Sequence, residues 1–67
     1  MTYDELADAL FEYRMDHKPK RLSQQQLADM IGIDRTYLNS IENRRIKPGK
    51  KTLYVIRKFL NENGKNL

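Results

Sequence analysis

The chain has 67 residues, no cysteine and one histidine, which leaves one small domain without a disulfide staple, a thiolate metal site or a zinc set. Its 13 Lys and Arg against 9 Asp and Glu make a formal charge of +4. Apolar runs of a few residues are too short for a membrane span or a signal-peptide core, so no membrane partner and a cytoplasmic location are expected. Regularly recurring apolar residues point to a folded chain, not a disordered one.

The charge is unevenly spread. Asp4, Glu5, Asp8 and Glu12 fall in the first 13 residues with no basic side chain among them, whereas residues 14–58 hold 12 of the 13 Lys and Arg against Asp16, Asp29, Asp34 and Glu42. A basic body with an acidic end suits a polyanionic partner, although a solvated basic surface accounts for charge alone equally well.

Thr2 with Glu5 fits a capping box, and Tyr3, Leu6, Ala7, Leu10 and Phe11 then follow helical spacing, so a first helix is predicted over residues 3–16. Pro19 closes it, because the residue before a proline avoids helical geometry. Ser23 with Gln26 forms a second capping box, and Leu27, Ala28 and Ile31 make the inner face of a short helix over 24–31. Gly32 supplies the positive φ that ends it. Ile33 is apolar inside a turn and is expected to plug the core. Asp34 caps a third helix over 35–43 with Leu38 and Ile41 inward. "NRRIKPGK" reads as a loop, and a fourth helix over 50–62 turns Leu53, Ile56, Phe59 and Leu60 inward. Residues 63–67 read as a frayed polar tail. The expected core is Leu6, Leu10, Leu27, Ala28, Ile31, Ile33, Leu38, Ile41, Leu53, Ile56 and Leu60.

The fold class predicted is thus all-α: a small four-helix bundle, one domain over 1–67, with a helix-turn-helix at 24–43. Ala28 is small where the next helix must cross closely, Gly32 turns the chain four residues later, and Ile33, Leu38 and Ile41 anchor the second helix of the motif on the first. At about 100° per residue, Leu38 and Ile41 point inward while Thr36, Asn39, Ser40 and Asn43 point outward, with Arg35 at the edge. That outer face lacks acids and large apolar groups. It offers short donors and acceptors of the kind that read base edges in the major groove, and Arg44, Arg45 and Lys47 follow it.

The string "LSQQQLADMIGIDRTYLNSIENRRIKP" followed by "TLYVIRKFL" resembles the lambda-repressor-like (Xre-type) helix-turn-helix family over residues 22–60. The resemblance rests on a set of features: Ser-Gln opening the second helix, Leu-Ala within it, Gly at the turn, "YLNSIEN" in the recognition helix, and Thr-Leu in the fourth helix. It implies operator-binding regulators of phage, plasmid or bacterial origin, mostly dimeric repressors. Carried over by position, it implies that Arg35, Thr36, Asn39 and Ser40 approach bases, and that Gln24, at the second helix's start, binds phosphate, as a helix N-terminus favours anions. Gln25 beside it is a further phosphate candidate. Asn43 and the basic Arg44, Arg45 and Lys47 fall where the family grips backbone, and Tyr37 borders the reading face as a candidate phosphate or sugar contact. Arg14 and Glu42 match a structural ion pair.

Two departures from the family pattern stand out. The connection from Arg14 to Leu22 is a few residues longer than usual and carries Lys18, Pro19, Lys20 and Arg21. The chain also ends soon after the fourth helix, where many relatives have a fifth that helps dimerise. Dimerisation through the fourth helix, the first helix, or only on DNA stays open.

No Gly-rich phosphate loop, Ser-His-Asp set or metal-ligand cluster is present in the sequence, so no enzyme, no metal, no cofactor and no small-molecule ligand is expected. His17 reads as a surface residue, and the acids of the first helix read as a solvated face favoured by the helix macrodipole. The expected function is a sequence-specific regulator binding double-stranded DNA, a repressor of a phage, plasmid or mobile-element switch acting as a weak homodimer on an inverted-repeat operator. The alternative is a protein-interaction module, antitoxin-like or antirepressor, that keeps the fold without reading an operator.

Overall fold

A computed structural model describes residues 2–64. Four helices follow in order: α1 (Tyr3–Asp16), α2 (Gln24–Ile31), α3 (Arg35–Glu42) and α4 (Lys50–Glu62). Of the expected tail, residues 63 and 64 form a turn, while residues 65–67 lie outside the described residues.

Local chemistry sets the helix starts. The Thr2 hydroxyl accepts from the Glu5 N–H at 3.1 Å while the Glu5 carboxylate accepts from the Thr2 N–H at 3.0 Å. Ser23 and Gln26 repeat this reciprocal pairing ahead of α2. The Asp34 carboxylate accepts from the Thr36 N–H at 3.1 Å and opens α3. Each pairing satisfies donors that have no partner within the helix.

Gly32 ends α2 at φ 90° and sends its N–H, with that of Ile33, to the Ala28 carbonyl. A Cβ added at Gly32 would meet no atom within 4 Å. Glycine is thus needed there for the left-handed backbone, not for space. α3 stops one residue earlier than its spacing predicts: Asn43 is its cap, and the Asn43 side-chain amide donates to the Asn39 carbonyl at 2.9 Å. Arg44 then adopts φ 59°. Its N–H bonds to the Ile41 carbonyl and the Arg45 N–H to the Ser40 carbonyl, so Arg44 fills the left-handed position of a Schellman motif that glycine usually takes.

One apolar cluster joins the four helices, with Leu6, Leu10, Leu27, Ala28, Leu38, Ile56 and Leu60 fully buried and Ile31 and Ile41 nearly so. Ile33 and Leu53, expected inside, are only half-buried at its edge. The inner face of α1 is turned from the expected one. Tyr3 and Phe11 are 42% and 50% exposed, and Ala9 and Tyr13 take part in the packing instead. The reason lies in α4: the Phe59 ring meets the Tyr13 ring edge-on with centroids 5.3 Å apart. This aromatic contact rotates the buried stripe of α1 toward Tyr13. Leu22, in the long connection, and Pro48, in the loop before α4, are also buried and tie both segments down.

Candidate nucleic-acid interface

The exposed side of α3 begins at its N-terminus, where Arg35 and Thr36 are both exposed, and continues through half-buried Asn39 and Ser40. Asn39 is not free in solvent. Its side-chain amide donates to the Gln24 side-chain oxygen at 2.9 Å, and the Gln24 amide donates in turn to Glu42 Oε1 at 3.3 Å. Glu42 receives Arg14 Nη2 at 2.7 Å and Arg14 Nε at 3.0 Å, and Arg14 Nη1 reaches the Leu22 carbonyl at 3.3 Å. The Arg14 and Glu42 side chains are only 11% and 5% exposed. A single chain of polar contacts thus runs from α1, through the end of α3 and the first residue of α2, to the middle of the outer side of α3. Low local dielectric strengthens such a chain and fixes its geometry.

Gln25 beside it points along its own helix and donates to Asp29 at 2.8 Å. Asn43 uses its amide on α3 itself. The half-buried Tyr37 packs against the core.

The basic loop divides. Arg45 is exposed and has no ion-pair partner among the described residues. Lys47 sets its ammonium 5.6 Å from the centre of the exposed Tyr3 ring, a cation–π contact worth little at an exposed site. Arg44, expected on phosphate, is engaged within the protein. Its Nε donates to Asp4 at 2.7 Å and its Nη2 to Asp8 at 2.5 Å, across to α1. The hydrogen bonds to Asp8 and Asp4 push the guanidinium pKa further above its usual range. The acids of α1 are exposed, as expected, and two of them, Asp4 and Asp8, pair with Arg44 as well. A clue lay in the sequence: Asp4 and Asp8 are one turn apart on a helix without a basic residue until Arg14, in a chain whose loops are basic. The pairing itself spans 40 residues and was not legible from spacing. α4 opens with Lys50 and Lys51 and no side-chain cap, an N-terminus carrying positive charge where a helix prefers negative.

These features define a helix-turn-helix domain of the DNA-binding class, and the chain belongs to the lambda-repressor-like helix-turn-helix family: the family model described as helix-turn-helix matches residues 12–65. Two relatives are similar to it. The ImmF control region 10 kDa protein of Bacillus phage phi105 is 46% identical over 44 residues, covering 66% of this chain and 49% of that protein. Control protein C.SmaI of Serratia marcescens is 38% identical over 56 residues, covering 84% of this chain and 63% of that protein. The chain thus spans about half to somewhat under two thirds of the length of these relatives. No solved structure matches it significantly. Among the described residues, no helix is long and apolar enough to cross a membrane.

Proposed function

We propose that residues 1–67 act as one sequence-specific DNA-binding unit that regulates transcription, as a repressor of a phage or mobile-element switch. The observation that carries this reading is the outward side of α3. Arg35 and Thr36 stand exposed at its start, and Asn39 is held by Gln24 at the start of α2. A helix presenting short polar groups from a rigid frame can enter the major groove and read base edges. Asn39 and Ser40 are assigned to bases along with Arg35 and Thr36. Gln24, Gln25, Tyr37, Asn43, Arg45 and Lys47 are assigned to the phosphate backbone, which supplies affinity without sequence choice.

A pre-formed Gln24–Asn39 bond links the two kinds of contact. Gln24 sits where a phosphate would lie at the N-terminus of α2, so a protein seated correctly on the backbone presents Asn39 in one orientation. Repression then follows from occupancy: a domain bound over promoter elements excludes polymerase. The relatives are named as a control-region protein of a phage and a control protein, which supports placing this chain in a similar switch. Two copies binding weakly to one another on an inverted repeat would double the contacts and raise specificity.

A selection from a random duplex library tests this reading. It is expected to enrich an inverted repeat whose half-sites are about 34 Å apart, one helical turn. Failure to enrich any duplex would favour the interaction-module reading, in which the fold serves a protein partner.

A further inference from the structure

The pairing of Arg44 with Asp4 and Asp8 has a use that the assigned DNA contacts leave unexplained. Arg44 follows directly on the cap of the recognition helix, and its backbone is locked in the left-handed region by the Schellman bonds. Together with Asp8, Gln24, Glu42 and Asn43 it lines one open recess at the start of α2. Two carboxylates occupy the guanidinium that a DNA phosphate would attract.

We infer that Asp4 and Asp8 act as an internal counter-anion that holds Arg44 away from phosphate, and so lower the affinity of this domain for DNA in general. The inference rests on the DNA-binding reading and adds a residue role to it.

The strength of the pairing suits this task. The Arg44, Asp4 and Asp8 side chains are 46%, 77% and 64% exposed, and ion pairs so open to water and salt are weak. A weak pair is exchangeable. A duplex that fits α3 well brings its backbone close for long enough to take Arg44 over. Random DNA, seated loosely, gains the Arg44 contact only by breaking the pair, and it meets two carboxylates beside its own charge. The acids thus tax every complex, but the tax is offset only where other contacts hold the backbone in place. They position Arg44 and need not touch DNA themselves.

The experiment titrates a random-sequence duplex with the full chain at several salt concentrations. The Asp4→Asn/Asp8→Asn protein keeps side-chain shape and removes the counter-anion. It is expected to bind random duplex about two- to fivefold more tightly, the range that an exposed ion pair spans. Its salt slope should steepen by up to about 1, the value of one further phosphate contact. A control with the same net charge, Asp16→Asn/Glu62→Gln, removes two acids that do not touch Arg44 and should give a clearly smaller gain. In an Arg44→Asn background the gain from Asp4→Asn/Asp8→Asn should vanish. Asparagine suits this background because it tolerates positive φ. Arg44→Asn alone should lower the slope on random duplex by clearly less than the roughly 1 of a full phosphate contact, because the acids already hold the guanidinium, which tests the counter-anion even if the acid variants fold poorly. Equal gains from the two acid pairs would overturn the inference, as would a gain that survives in the Arg44→Asn background, or a slope that Arg44→Asn alone lowers by the full value of about 1. Wild-type protein that binds no duplex at all would instead overturn the DNA-binding reading and this inference with it.

Discussion

Arg14 and Glu42 form a two-pronged ion pair, Nη2 to Oε1 at 2.7 Å and Nε to Oε2 at 3.0 Å, that ties α1 to the last turn of α3. Both side chains are nearly buried, so the cost of breaking the pair is dominated by the charge left behind, not by the attraction lost. Glu42→Ala should destabilise the domain by ~3–5 kcal/mol, the range for stranding a buried partner. That is comparable with the whole stability of a small domain. Replacing both residues by apolar ones of similar volume should cost less than the two single changes added together. Chemical denaturation of the four proteins of this cycle decides the matter: additive single effects would mean that the pair is not coupled.

Leu38 has no exposed surface and lies between α3 and the rest of the core. Leu38→Ala should cost ~2–5 kcal/mol through the cavity it leaves. A thermal melt at the parental temperature would be incompatible with this packing.

The two kinds of DNA contact assigned here should separate in titrations. Asn39→Ala should cost ~1–3 kcal/mol on the selected operator and clearly less on random duplex, where only the loosening of Gln24 is felt. Arg45→Ala, at an exposed cation with no ion-pair partner among the described residues, should weaken both DNAs alike and lower the salt slope by about 1. Equal losses on both DNAs for Asn39→Ala would show that α3 does not present this residue to bases.

Cooperative binding offers a geometric test of the proposed dimer. Inserting about five base pairs between half-sites turns them to opposite faces of the duplex and should abolish cooperativity. Gel-shift titrations that retain it would point to independent monomers.

Acid should loosen the start of α1 first. The backbone hydrogen bond with Thr2, followed by that with its hydroxyl, holds the Glu5 carboxyl below its ordinary value of 4.5. A carboxyl lowered on folding stabilises the fold at pH above its unfolded value, and that contribution is lost as pH falls through the folded value. Amide exchange at residues 3–6 should therefore quicken as pH drops below the ordinary carboxylate range, after correction for intrinsic rates. Thr2→Ala keeps the backbone N–H and removes the hydroxyl, so it should return the Glu5 titration, followed by NMR, only part of the way toward 4.5. An unchanged Glu5 titration in that variant would show that the hydroxyl has no share in the lowering.

What the sequence determined by itself is everything decided within a few residues. The capping boxes at Thr2–Glu5 and Ser23–Gln26, the Asp34 cap and the left-handed Gly32 operate over two to four positions. They are written into the order of side chains whatever the rest of the chain does, so the helix spans and the helix-turn-helix were legible before any packing was known. The tertiary structure alone decided which side of α1 is buried, because Phe59 selects Tyr13 over Phe11 only once α4 lies against α1. It also decided that Asn39 leans on Gln24 and that Arg44 closes on Asp4 and Asp8. Spacing along the chain says which way a side chain leaves its own helix. It does not say which opposite charge or amide waits there, since a long polar side chain has several partners within reach and only the packed backbone chooses among them.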